Sequence, residues 1–108
     1  MKPWKKIKIY LSESDRWQHQ ALYQAIIEIA RNHHLAGATV TRAIEGFGAD
    51  LKLNTSNIIA LSDHLPIIIS IIDTEEKIRA FYQAIKEMIP GKLVVLEPVE
   101  VLQYEPSV

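Results

Sequence analysis

The run "PIIISII", Pro66 to Ile72, is apolar on both of its alternating rows: Ile67, Ile69 and Ile71 point one way, Ile68 and Ile72 the other, with only Ser70 between the latter two. A β-branched run bounded by Pro66 and Asp73 is too short for a helix of usual length and reads as a buried strand. Such a strand needs apolar cover on both faces, so its reading governs the rest of the chain. Downstream, Asp73 to Glu76 has the D-x-x-E form of a capping box, after which Ile78, Phe81, Ile85 and Ile89 form one helical stripe ending near Pro90 and Gly91. "KLVVLE" and "VEVLQY" then give a last strand interrupted by Pro98, a residue that cannot donate to a ladder and marks an edge or a kink.

Upstream, "KIKIYL" alternates Ile7, Ile9 and Leu11 against Lys6, Lys8 and Tyr10, the period of a strand. "SESD" supplies caps, and Leu22, Ala25, Ile26 and Ile29 recur at helical spacing, predicting a first helix over about Asp15 to His33. Ala38 to Glu45 reads as a second strand, followed by a polar segment, "ADLKLNTSN", suited to a mobile loop. The order is strand, helix, strand, strand, helix, strand. It predicts an α+β fold, a ferredoxin-like βαββαβ sandwich with an antiparallel sheet and both helices on one face. Two helices cannot cover all the apolar surface this sheet presents. The last strand repeats the two-sided pattern, Leu93 and Val95 against Val94 and Leu96, so self-association is expected.

Composition bounds the function. A chain of 108 residues is the size of one domain, and a single domain over 1–108 is expected, with no repeat or linker. A formal charge of −1 argues against general nucleic-acid binding, which needs a basic face; Lys2, Lys5, Lys6 and Lys8 read as a solvated strand face. The chain has no cysteine, which removes disulfides, thiolate nucleophiles and thiolate metal sites and fits a reducing cytoplasm. Apolar positions near the N-terminus alternate with lysines, so neither a signal-peptide core nor membrane insertion is expected.

"GATVTRAIEGFG", Gly37 to Gly48, is where chemistry is to be sought. A strand ends in two glycines flanking Phe47, a pattern of bending backbone or of a close approach by a ligand. The glycines also suit a plain turn, and Phe47 a packing residue. Alternation puts Arg42 on the side of Val40 and Ile44, where it must pair or escape: a structural ion pair, a bulge or a subunit contact explains it, and so does an anionic ligand. Ser62, Asp63 and His64 have the letters of a triad, but consecutive residues diverge and read as a turn. His33 and His34 suit a helix end better than a metal, and Asp73, Glu75 and Glu76 are helix-start charges rather than an acid/base pair. No catalytic set and no metal site is expected.

The same stretch resembles the G-x-T-V…G-F-G segment of PII signal-transduction proteins. "GATVTRAIEGFG…LSDHLPIIISIID", with "LYQAIIEIAR" in the first helix, is still more similar to an uncharacterised PII-like family, domain of unknown function 190. The resemblance spans nearly the whole chain. It implies a ferredoxin-like homotrimer with sheets facing inward and ligand clefts between subunits, holding a metabolite or nucleotide and signalling to a protein partner through the loop after Gly48. The positions it marks are Gly46, Phe47, Gly48 and Lys92, the last corresponding to a phosphate-binding lysine, to which the alternation adds Arg42 as a candidate ligand contact; no cofactor is named. The chain departs from the family pattern at Ala43 and Asn54, usually Gly and His, and at His19, Gln20 and Ala21 in place of G-x-P. Against PII proper, Ala49 and Asp50 replace Arg and Gln, and Gln103 and Glu105 replace an arginine pair. A triphosphate requires several cations or a cradle of backbone donors, so ATP affinity is expected to be weak or absent. A small ferredoxin-like enzyme and a purely structural assembly subunit are the alternatives.

Overall fold

The computed structural model describes residues 2–47, 54–55 and 65–106, the backbone alone at 54–55. The central sheet has four antiparallel strands: β1 (Trp4–Ser12), β4 (Gly37–Arg42), β7 (Pro66–Thr74) and β8 (Leu93–Val99), in the order β4-β7-β1-β8. Two short ribbons complete the strand count among the described residues: β2 (Arg16–Trp17) with β3 (Gln20–Ala21), and β5 (Glu45–Gly46) with β6 (Asn54–Thr55). Helices α1 (Leu22–Asn32) and α2 (Glu75–Ile85) cover one face, in the predicted βαββαβ plan.

The two-row reading of β7 decides the packing. Ile67, Ile69 and Ile71 are buried beside Ile7, Ile9 and Leu11 of β1, and the helices add Leu22, Ile26, Ile78, Phe81 and Ile85 to form one core. The opposite rows, Lys6, Lys8 and Tyr10 with Ile68, Ser70 and Ile72, are only half-buried. At the edge, β4 is exposed at every one of its 6 positions.

Four local expectations are corrected. α1 begins at Leu22 rather than Asp15, because residues 16–21 turn back as the β2–β3 hairpin with Gln18 in the left-handed region, φ 56°. Asp15 ends the preceding strand instead: its Oδ2 accepts the Ser12 amide at 2.8 Å, and its backbone carbonyl accepts the Leu22 amide. β4 stops at Arg42, three residues before the predicted Glu45; the Ala43 amide still donates to Pro66, and the chain then leaves into the β5–β6 ribbon. Asp73 is not a cap, because β7 continues through it and turns its side chain inward, where it is buried and accepts the Ala36 and Thr74 amides. Thr74 caps α2 in its place by accepting the Lys77 amide. The last strand ends at Val99, so "VEVLQY" adds no further strand; β8 is a sheet edge, where Pro98 is tolerated opposite Lys5.

Candidate functional site

Four segments far apart in sequence converge at one end of the sheet, around a cavity of about 410 Å³. β1 supplies Tyr10 and Ser12, β7 supplies Pro66 and Ile68, the turn before β8 supplies Pro90 to Leu93, and the departing chain supplies Ala43 and Glu45 to Phe47. Tyr10 lies opposite both Ile68 and Leu93 in the strand register, so these three form a row on the helix-free face. The cavity therefore opens on the side the helices leave uncovered.

Of the positions marked from sequence, Gly46, Phe47 and Lys92 are brought together here. Gly48 lies outside the described residues, as do Ser62, Asp63 and His64 and most of the polar segment after it. Gly46 has an ordinary backbone; what it requires is space, since a Cβ there would meet Pro66 Cγ at 3.3 Å. Phe47 is 64% exposed, an apolar ring at the cavity rim rather than a core residue. Gly91 is the backbone special of this site, with φ +75°, a left-handed conformation that lets the chain turn from Pro90 into Lys92.

Lys92 and Arg42 are both already engaged. Lys92 Nζ stands 2.8 Å from Asp15 Oδ2. Arg42 does not line the cavity; it bonds Glu13, whose other oxygen, Oε1, is buried with no partner among the described residues. That is the ion-pair reading of Arg42 in its intramolecular form. Gln103 and Glu105 are nowhere near. A strand rises about 3.3 Å per residue, so β8 takes the chain roughly 20 Å away from the cavity, where Tyr104 packs edge-on against Trp4 with ring centroids 5.7 Å apart. Within one chain these two residues cannot meet a ligand that touches Lys92.

The remaining candidates are structural in their surroundings. His33 closes α1 and packs edge-on against Phe81, and the His34 carbonyl accepts Lys77 Nζ. Glu75 and Arg79 bond across one helical turn, and that hydrogen bond holds the Glu75 carboxyl below the usual carboxylate range. Among the described residues no three His, Asp or Glu side chains are grouped to hold a metal, and no helix is long and apolar enough to cross a membrane. Sequence reasoning missed Tyr10, Pro66, Gly91 and Asp15. Only the Pro90-Gly91 pair carried a local signal, that of a turn; the others become neighbours through strand register.

The likeness to known proteins runs through this framework. A UPF0166 protein of Aquifex aeolicus is 38% identical over 98 residues, covering 91% of this chain and 92% of the relative. Among solved structures, CPII from Thiomonas intermedia K12, a nitrogen regulatory PII-like protein bound to ADP, AMP and bicarbonate, superposes with a TM-score of 0.72 at 16% identity, covering 94% of this chain and 90% of that one. A PII-like signaling protein from Thermus thermophilus gives 0.61 at 21% identity, covering 90% and 87%. At such identities these structures speak for the fold, and it is PII-like. The pattern of the uncharacterized family DUF190 runs over residues 4–101, through every strand of the sheet and both helices, and the chain belongs to that family.

Proposed function

We propose that this protein is a PII-like sensor: a single-domain homotrimer, not an enzyme, that binds a small metabolite or nucleotide in clefts between subunits and passes the binding state to a protein partner. The observation that carries the reading is the cavity itself. It gathers Gly46, Phe47 and Lys92 from separate segments at the point where the β5–β6 ribbon leaves the sheet, so a ligand there touches the root of a projecting ribbon. A ligand with higher affinity for one arrangement of that ribbon shifts its population by the affinity difference, which is sufficient for signalling. The trimer is supported by the half-buried row of Ile68 and Ile72 and by the fully exposed β4 edge, surfaces that a second copy would cover. The nucleotides and bicarbonate bound by the Thiomonas protein make those compounds the first to screen.

Light scattering is expected to give three times the chain mass at micromolar concentration. A thermal-shift screen of nucleotides, oxoacids, bicarbonate and divalent ions is expected to find a ligand that, at a hundredfold excess over Kd, raises Tm by about 10 °C. A stable monomer that no compound stabilises overturns the reading.

A further inference from the structure

The cavity presents an apolar row, Tyr10, Ile68 and Leu93, beside an exposed phenyl ring at Phe47, yet its lysine is not available as it stands. Lys92 Nζ and Asp15 Oδ2 are 2.8 Å apart, and both side chains are mostly buried, 30% and 24% exposed. The same Oδ2 accepts the Ser12 amide at 2.8 Å, the Asp15 amide donates back to the Ser12 carbonyl, and the Asp15 carbonyl accepts the first amide of α1. The carboxylate is thus fixed by backbone on both sides, whereas Lys92 reaches it on a flexible stem. An incoming anion must draw the ammonium away from a partner that cannot follow it.

We propose that Asp15 is a specificity-determining residue, the built-in counter-ion of Lys92, which sets the cavity against polyanions, so that affinity for an anion does not rise with the number of phosphates it carries. The inference rests on reading the cavity as a ligand site. The surroundings act in the same direction. Among the described residues, the ion pairs at this end of the sheet are Lys92 with Asp15 and Arg42 with Glu13, and Glu45 adds a further carboxylate to the cavity wall. Among the described residues lining the cavity Lys92 is the one cation, so a further phosphate meets no second one there and its desolvation is not offset. Weak triphosphate binding then follows from residues in the same subunit, without reference to Gln103 and Glu105.

The test titrates phosphate, pyrophosphate and tripolyphosphate into the full-length protein, following the Gly91 and Lys92 amides and the Lys92 side-chain nitrogen by NMR. The unsubstituted protein is expected to show weak affinity that does not rise with phosphate number. Asp15→Asn keeps an oxygen for the Ser12 amide and removes only the charge. It is expected to bind tripolyphosphate about tenfold more tightly, with the gain abolished in Asp15→Asn/Lys92→Met. Affinity that climbs with each phosphate in the unsubstituted protein, a series that requires no variant to fold, overturns the proposal. So does an Asp15→Asn protein, folded by circular dichroism, that binds tripolyphosphate no better. A metabolite screen that finds nothing would instead overturn the sensor reading, while a gain in Asp15→Asn would still stand for Asp15.

Discussion

The two rows of β7 are both rich in isoleucine and have different fates. Ile67, Ile69 and Ile71 on the helix side are no more than 2% exposed, whereas Ile68 and Ile72, one residue out of phase on the same strand, remain half-buried. β-propensity and hydrophobicity cannot distinguish the two rows. What separates them is that α1 and α2 both cross on one side, as right-handed crossovers in this strand order require. One face is complete within the chain, and the other leaves Ile68, Ile72 and Tyr10 half-buried beside Lys6, Lys8 and Ser70, with a cavity at its end.

The largest effect is expected from breaking the finished face. Phe81 is fully buried on the inner face of α2, and Phe81→Ala should lower stability by about 3–5 kcal/mol in urea unfolding. A loss below about 1 kcal/mol would mean that this face is not the core. The open face should respond differently: Ile72→Glu places a carboxylate opposite Lys6, where solvent can reach it, and is expected to convert a trimer to a folded monomer by light scattering. An intact trimer would show that another surface holds the subunits. Two glycines sharpen the comparison, Gly91 at the cavity and Gly37 at the far end of β4. Gly91→Ala must adopt φ +75° and is expected to cost about 1–2 kcal/mol, whereas Gly37→Ala, with open space at its Cβ and no positive φ, should be neutral or slightly stabilising.

The smallest effect lies at the outer rim of α2. Because the hydrogen bond from Arg79 depresses the Glu75 carboxyl in the folded state, its contribution is present above the unfolded value of 4.5 and is lost as pH falls through the depressed folded value. Glu75→Gln should therefore lower stability slightly at neutral pH and leave it unchanged in strong acid, flattening the acid limb of the curve, as thermal melts from strongly acidic to neutral pH would report. A loss in strong acid as large as that at neutral pH would contradict this sign.

How much was legible in the sequence follows from which interactions are local. The βαββαβ order and the two-sided strands were readable because alternation and helical stripes are written in neighbouring residues, as in "KIKIYL" and "PIIISII". The start of α1 escapes a sequence reading because Asp15 is a good helix cap by type, and nothing local reveals that Ser12 claims its carboxylate first. Asp73 misleads for a related reason: D-x-x-E is a capping pattern, but the alternation of β7 turns that side chain into the interior, and Thr74 takes the cap. At the site, Gly46 and Phe47 stand out through their glycine-aromatic-glycine setting. The pairing of Lys92 with Asp15 is invisible in the sequence because it joins residues 77 positions apart that only the β1–β8 register brings together.

Asp73 has a further consequence. Its carboxylate accepts the Ala36 amide in the turn before β4 and the Thr74 amide at the start of α2, while Lys77, which lies 3.7 Å from it, donates to the His34 carbonyl. One buried side chain thus latches the exit of the first βαβ half to the midpoint of the second. Fraying at either junction would take a backbone donor from one oxygen of that buried carboxylate, so neither opens alone without a cost in free energy. The two halves of the domain are bound into a single cooperative unit at this latch, and the amides of Ala36 and Thr74 should exchange with solvent in the same opening event despite standing on different crossovers.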